Sequence, residues 1–210
     1  MLFRSALPLV FLMMACFGNT NAEAPDLLAG GDLAKHWTTK GNWRLETDDV
    51  ASLEPRKGEA GWTRYDMYLW LNGEDRRDFT ATFEYQFQKG GNSGFYFHVG
   101  DRKNPVQSGI EVQLYDSGSK PKDAKLTDHD AGGVIPGIPP QVNAAKPAGE
   151  WNAMQVAVKG DLLTVSLNGE VVNEVDLDAG PLKQRPKTGA IGFQDHALPV
   201  KLRNFRITTE

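Results

Sequence analysis

The chain is almost without cysteine: Cys16 is the only one among 210 residues, and it sits in a leader-like N-terminal stretch. Neither thiol catalysis nor a disulfide framework is therefore open to the mature domain. Basic clusters are missing too. Lys and Arg number 23 against 27 Asp and Glu, for a formal charge of −4, and no patch carries the footprint of a nucleic-acid binder. No apolar run reaches the roughly 18 to 20 residues that a membrane span requires. A Gly-x-Ser-x-Gly elbow, a phosphate loop and a dinucleotide fingerprint are all absent, which argues against acyl and phosphoryl transfer. There is no repeat of fixed period and no low-complexity tract, and no window of a dozen residues shows a persuasive amphipathic helix.

What is present begins with an export signal. Arg4 precedes an apolar run from Ala6 to Phe17, and small and polar residues follow as far as Ala22 and Ala24. Residues 1–22 read as a secretory signal peptide, so the protein is expected to be exported, periplasmic or secreted. Met13-Met14-Ala15-Cys16 is a weaker lipoprotein-type site, the less favoured alternative. Residues 25–210 then form one domain, large enough to bury a core without staples.

The dominant period is two. Ala81, Phe83, Tyr85 and Phe87 alternate with Thr82, Glu84 and Gln86, and Phe95, Phe97 and Val99 alternate with Tyr96 and His98. These are half-buried strands. Further runs lie at Ile110 to Tyr115, Ala153 to Lys159, Leu162 to Leu167, Val171 to Val175, Gly189 to Phe193 and Leu202 to Thr208. Asn168-Gly169 and Lys159-Gly160-Asp161 read as tight hairpin turns. In the last run Leu202 and Phe205 both require the core, which demands a bulge near Arg203-Asn204. Short strands with no crossover helices predict an all-β, two-sheet antiparallel jelly-roll sandwich.

Two segments depart from that rhythm. Residues 117–150, rich in proline and glycine, are longer than a connection needs and read as a functional loop over a sheet. Gly58 to Asn72 carries Trp62, Tyr65, Tyr68 and Trp70, more rings than one buried face holds, and some of them are expected to line a sugar site.

The candidate chemistry sits on two strands. Ile110, Val112 and Leu114 take the core, so alternation turns Glu111, Gln113 and Tyr115 to the opposite face. A carboxylate, an amide and a phenol in one row suit a polyhydroxylated ligand, and an ordinary solvated face is the plainer account of them. Asp116 ends that strand, as a site residue or as the start of a turn. Gly189 to Phe193 ends in Gln194, Asp195 and His196, where the imidazole offers a general base or a metal ligand. His98 shares its outward face with Tyr96. His129 reads as a polar loop residue, and His36 lies where no pattern is legible.

Gly91 to Phe97, Gly109 to Asp116, Lys146 to Asn152, and Gly192 to His196 followed by Arg203-Asn204 are, in this order, similar to the landmarks of the 3-keto-disaccharide hydrolase family. The resemblance spans about Leu27 to Ile207. It implies a concanavalin-like jelly roll, a sugar-sized groove, and action on glycosides already oxidised at C3. It further implies Glu111 and His196 as base or as ligands of a divalent metal ion, and Arg203 or that ion at the developing oxyanion. Gln113, Asp116, Gln194 and Asp195 would then position substrate, and Tyr115, Tyr96 and His98, outward by alternation, are the further substrate-binding candidates. Trp151 and Asn152 match a landmark that is catalytic or structural. The implied partners are a carbohydrate substrate and an upstream sugar oxidoreductase that supplies the ketone. The loop reads Gly133-Val134-Ile135-Pro136-Gly137 where many relatives carry a glycine-flanked aromatic, which sets its fit to substrate apart. The alternatives are a non-catalytic carbohydrate-binding module, an endo-glycanase using Glu111 and Asp116, and a structural envelope protein.

Overall fold

A computed structural model describes residues 23–46, 49–121 and 123–209; the expected signal peptide, with Cys16, lies outside them. In chain order the strands are β1 (Trp37–Thr38), β2 (Trp43–Leu45), β3 (Ala51–Leu53), β4 (Leu69–Leu71), β5 (Phe79–Phe87), β6 (Asn92–Val99) and β7 (Ile110–Tyr115). There follow β8 (Val134–Ile135), β9 (Asn152–Lys159), β10 (Leu162–Leu167), β11 (Glu170–Asp176), β12 (Ala190–Phe193) and β13 (Val200–Thr208). They form two antiparallel sheets. One has six strands in the order β1-β4-β12-β6-β7-β8, the other seven in the order β11-β10-β9-β5-β13-β3-β2.

The alternation of β5 is kept residue by residue: Phe79, Ala81, Phe83, Tyr85 and Phe87 are buried, and the residues between them are half-buried. Its inward rings meet those of the opposite sheet. Phe83 lies edge-on to Phe193 at 5.0 Å, and Trp37 edge-on to Phe205 at 4.9 Å, geometries that add to area burial. The Asn168-Gly169 turn between β10 and β11 has positive φ at both residues, 54° and 85°, as the primed hairpin turn requires. The expected bulge is present in β13: pairing with β5 slips between Arg203 and Arg206, Asn204 takes φ 56°, and Leu202 and Phe205 are both fully buried.

A second irregularity differs from the sequence reading. Along β6 the pairing with β12 shifts, so that Tyr96 faces Gly192 but Val99 faces Ala190, and His98 takes φ 51°. The extra residue reverses the parity after Phe97. Val99 joins Tyr96, Tyr68 and Trp70 in a second buried cluster, while His98 turns against Phe97 and Phe79.

The long loop is anchored at both ends of its middle. Asp130, 1% exposed, accepts from the Ser117 hydroxyl and the Thr127 amide, both at 2.9 Å. Ala131 and Val134 enter the core, and β8 adds an edge strand to β7. The loop thereby becomes a wall beside the six-stranded sheet.

Candidate active site

Strands β6, β7 and β12 lie side by side in the six-stranded sheet. Their outward side chains line a cavity of about 140 Å³ with Tyr96, Glu111, Gln113 and Gln194 among its walls. The long loop contributes His129 and Ile135, the 55–68 segment contributes Trp62, and His196 stands beyond the end of β12.

Glu111 is 6% exposed. Room for its carboxyl comes from Gly94 on the neighbouring strand, where a Cβ would lie 2.0 Å from Glu111 Oε1. Oε2 accepts a 2.6 Å hydrogen bond from the Tyr96 phenol. Burial pushes the Glu111 pKa up to about 7, aided by the negative charge of Asp128 and opposed by the Tyr96 hydrogen bond. The Tyr96 phenol is itself pushed well above its ordinary range, by burial first and by Glu111 second, and stays a donor. A carboxyl that changes protonation near neutrality is equipped to take up and return a proton.

The flanking amides are held in place. Gln113 Nε2 donates to Asn92 Oδ1 at 2.6 Å. The Gln194 backbone is pinned on both sides, its carbonyl by the Ser93 hydroxyl at 2.8 Å and its amide by the Gly94 carbonyl at 2.8 Å. Gln194 Oε1 is buried with no partner among the described residues. Asp195, fully buried, lies behind this wall: Oδ1 accepts from the Ala197 amide at 2.8 Å and Oδ2 lies 3.5 Å from Arg64. Burial raises its pKa.

Several expected site residues stand elsewhere. Arg203 is on the outer face of the seven-stranded sheet, paired with Glu84 and stacked 4.1 Å over Trp151. The hydrophobic core separates it from Glu111, so it cannot face the same substrate. His98 Nε2 is bonded to the Arg77 carbonyl at 2.7 Å, and the bulge keeps its ring out of the cavity. Asp116 Oδ2 accepts from the Gly90 amide at 2.9 Å, closing the turn between β5 and β6. Tyr115 continues the row but lies under Lys120, 5.9 Å from its Nζ, beyond the cavity. Asn152 is structural: its Oδ1 receives the Lys146 amide and the Asn168 side chain at 2.8 and 2.9 Å.

Sequence reasoning passed over His129 and did not single out Asn92 or Val106, all of which line the cavity. Only the path of the loop could have found His129. Glu111 and His196 share the cavity, but among the described residues no group of three or more His, Cys, Asp or Glu side chains is disposed to hold a metal ion. A larger open depression of about 460 Å³ lies on the opposite sheet, lined by Thr82, Glu84, Gln155 and Arg206. Glu84 there is neutralised by Arg203, and that depression offers no buried group free to react.

A protein of Bacteroides thetaiotaomicron named 3-keto-disaccharide hydrolase is 28% identical to this chain, the match covering 62% of the chain and 58% of that protein. The chain thus spans little more than half the length of that relative. A solved structure from Parabacteroides distasonis, described as a candidate glycosyl hydrolase, superposes with a TM-score of 0.73 at 20% identity, over 90% of this chain and all of that one. The carbohydrate-binding module CBM66 of Bacillus subtilis shares the sandwich at a TM-score of 0.56 and 13% identity, over 83% of this chain and 96% of that one. Residues 23–208 match the family described as the 3-keto-alpha-glucoside-1,2-lyase-like domain, and the chain belongs to that family.

Proposed function

We propose that this chain cleaves glycosides already oxidised at C3, by elimination followed by hydration. The observation that carries the reading is Glu111: a buried carboxyl with a pKa near 7, on a cavity wall shared with three amides and two imidazoles. The name of the Bacteroides relative supports the substrate class.

A ketone at C3 acidifies the proton on C2. The Glu111 carboxylate takes that proton, and the electron pair left on C2 delocalises onto the C3 oxygen as an enolate. Its collapse restores the C3 carbonyl, forms a C1–C2 double bond and expels the oxygen substituent at C1. Water then adds its hydroxyl to C1, its proton passing to the imidazole that protonated the leaving oxygen, and Glu111 returns its proton to C2, so the sum is hydrolysis. With Arg203 on the far sheet, the two imidazoles divide the remaining work: one donates to the enolate oxygen, the other protonates the leaving oxygen. Gln113 and Gln194 orient sugar hydroxyls, and no step is routed through a metal. The ketone itself must come from an enzyme that oxidises a sugar hydroxyl.

The decisive experiment incubates the purified domain with a 3-keto glucoside and with its unoxidised parent, with and without chelator. Release of the C1 substituent and exchange of the C2 proton from the keto compound alone, insensitive to chelator, is the expected result. Sugar binding without turnover of either would instead favour a binding module, the reading that exposed Trp62 on the cavity also suits. Cleavage of the unoxidised parent would favour an endo-glycanase, although Asp116, its second carboxylate, is engaged in a turn.

The proposal extends to the compartment. Residues 1–22 direct export, and the N-terminus of the mature protein should begin just after Ala22 or Ala24.

A further inference from the structure

Trp62 is 41% exposed, one of only three large hydrophobic side chains so exposed among the described residues, and the one that lines the Glu111 cavity. An indole left so exposed beside a cavity needs a reason, because Tyr68 and Trp70 of its segment are covered. Tyr68 and Trp70 are buried and stacked on each other at 5.6 Å. Trp62 is nevertheless held from two sides. Its carbonyl accepts from the Tyr68 phenol at 3.0 Å, and two residues on, Arg64 lies 2.8 Å from Glu59 and 3.5 Å from Asp195, the residue before His196. Tyr68 in turn packs at 5.5 Å against Tyr96, the donor to Glu111. The ring is exposed but its backbone is fixed to both walls of the cavity, the preorganisation expected of a contact surface.

We infer that Trp62 is the platform of a second subsite, which stacks on a pyranose ring in the leaving-group position of the substrate. The inference rests on the proposed elimination. The oxidised ring must lie against Glu111, the buried carboxyl that takes its C2 proton, and C1 is the adjacent carbon. Its substituent leaves before water enters, so it must point to the open end of the cavity, where Trp62 stands. The apolar face of a pyranose suits an indole, whose stacking needs no hydrogen bond. Trp62 thus sets the preference for a second sugar over an alkyl group at C1, and Arg64 is a positioning residue for the arm.

The test compares a 3-keto disaccharide with 3-keto methyl glucoside in wild type, Trp62→Ala and Arg64→Met, and measures calorimetric binding of the unoxidised disaccharide and methyl glucoside alongside. Wild type should prefer the disaccharide, and Trp62→Ala should lower the ratio of the two kcat/KM values by about tenfold. Arg64→Met should lower the same ratio in part, through KM. Equal losses on both substrates, or an unchanged ratio in Trp62→Ala, overturn the subsite. If wild type turns over neither keto compound, the proposed reaction fails but binding still decides the subsite. Weaker disaccharide binding in Trp62→Ala, with a smaller change for methyl glucoside, sustains it; parallel changes or no disaccharide binding overturn it. Trp62→Phe guards against misfolding, and should retain most of the wild-type ratio.

Discussion

The outer faces of the two sheets are built from the same alternating pattern and end in opposite conditions. On the seven-stranded sheet, Thr80, Thr82, Glu84 and Gln86 of β5 remain half-buried. On the six-stranded sheet, β7 is buried on both faces from Ile110 to Leu114, Glu111 and Gln113 included. The difference lies in what covers them: the 117–150 loop and the 55–68 segment wall in β6, β7 and β12, whereas the opposite sheet has an open depression. Glu84 meets its counter-ion at a half-exposed site, where such a pair contributes at most about 1 kcal/mol. Glu111 has a neutral phenol for a partner and is driven toward protonation. Two outward glutamates on opposite sheets of one domain thus acquire different chemistry, chiefly because one is desolvated and the other keeps a counter-ion.

The sharpest way to break that comparison is to make the same change on each face. Glu111→Gln should lower kcat/KM by about 10²- to 10⁴-fold, the range of general-base loss, while Glu84→Gln should stay within about twofold. Equal losses would refute the assignment of the site. Gly94→Ala comes next: its methyl would occupy the space of Glu111 Oε1, and displacing a catalytic carboxyl should cost about 10- to 100-fold, with circular dichroism unchanged.

The pH dependence sharpens the contrast further. If Glu111 acts as the base, kcat/KM should fall about tenfold per unit below pH 7, a limb that Glu111→Gln should lack. The folded-state pKa of about 7 exceeds the ordinary glutamate value of 4.5, so between those values the native state binds more protons than the unfolded chain. The contribution of Glu111 to stability therefore falls as pH rises through that window. At pH 8, Glu111→Gln should be more stable than wild type by up to about 3 kcal/mol, read from urea midpoints. The smallest effect belongs to the other face. Arg203→Met should cost about 0.5 to 1 kcal/mol through its exposed ion pair and its stack on Trp151, with kcat/KM within about twofold of wild type; a larger catalytic loss would return Arg203 to the site.

The strands and turns were legible because their signals are local. The β10 limits Leu162–Leu167, the Asn168-Gly169 turn and the bulge at Arg203-Asn204 follow from side-chain parity and backbone sterics. So does the row of Glu111 and Gln113. His98 was misplaced because parity is reliable only until a bulge, and nothing in Phe97-His98-Val99 announces one. Asp116 was ambiguous for a related reason, since the partner that claims it, the Gly90 amide, lies across a turn.

The sequence by itself therefore determined a two-sheet β-sandwich and an outward carboxylate among amides, because period-two patterning and turn chemistry act within a few residues. Only the tertiary structure decided that Arg203 lies across the core from Glu111 and that Trp62 and His129 meet at its cavity. It also decided that Glu111 is dry enough to titrate near neutrality. Those outcomes depend on which sheet a strand joins and which loop covers it, and contacts between residues far apart in the chain set both.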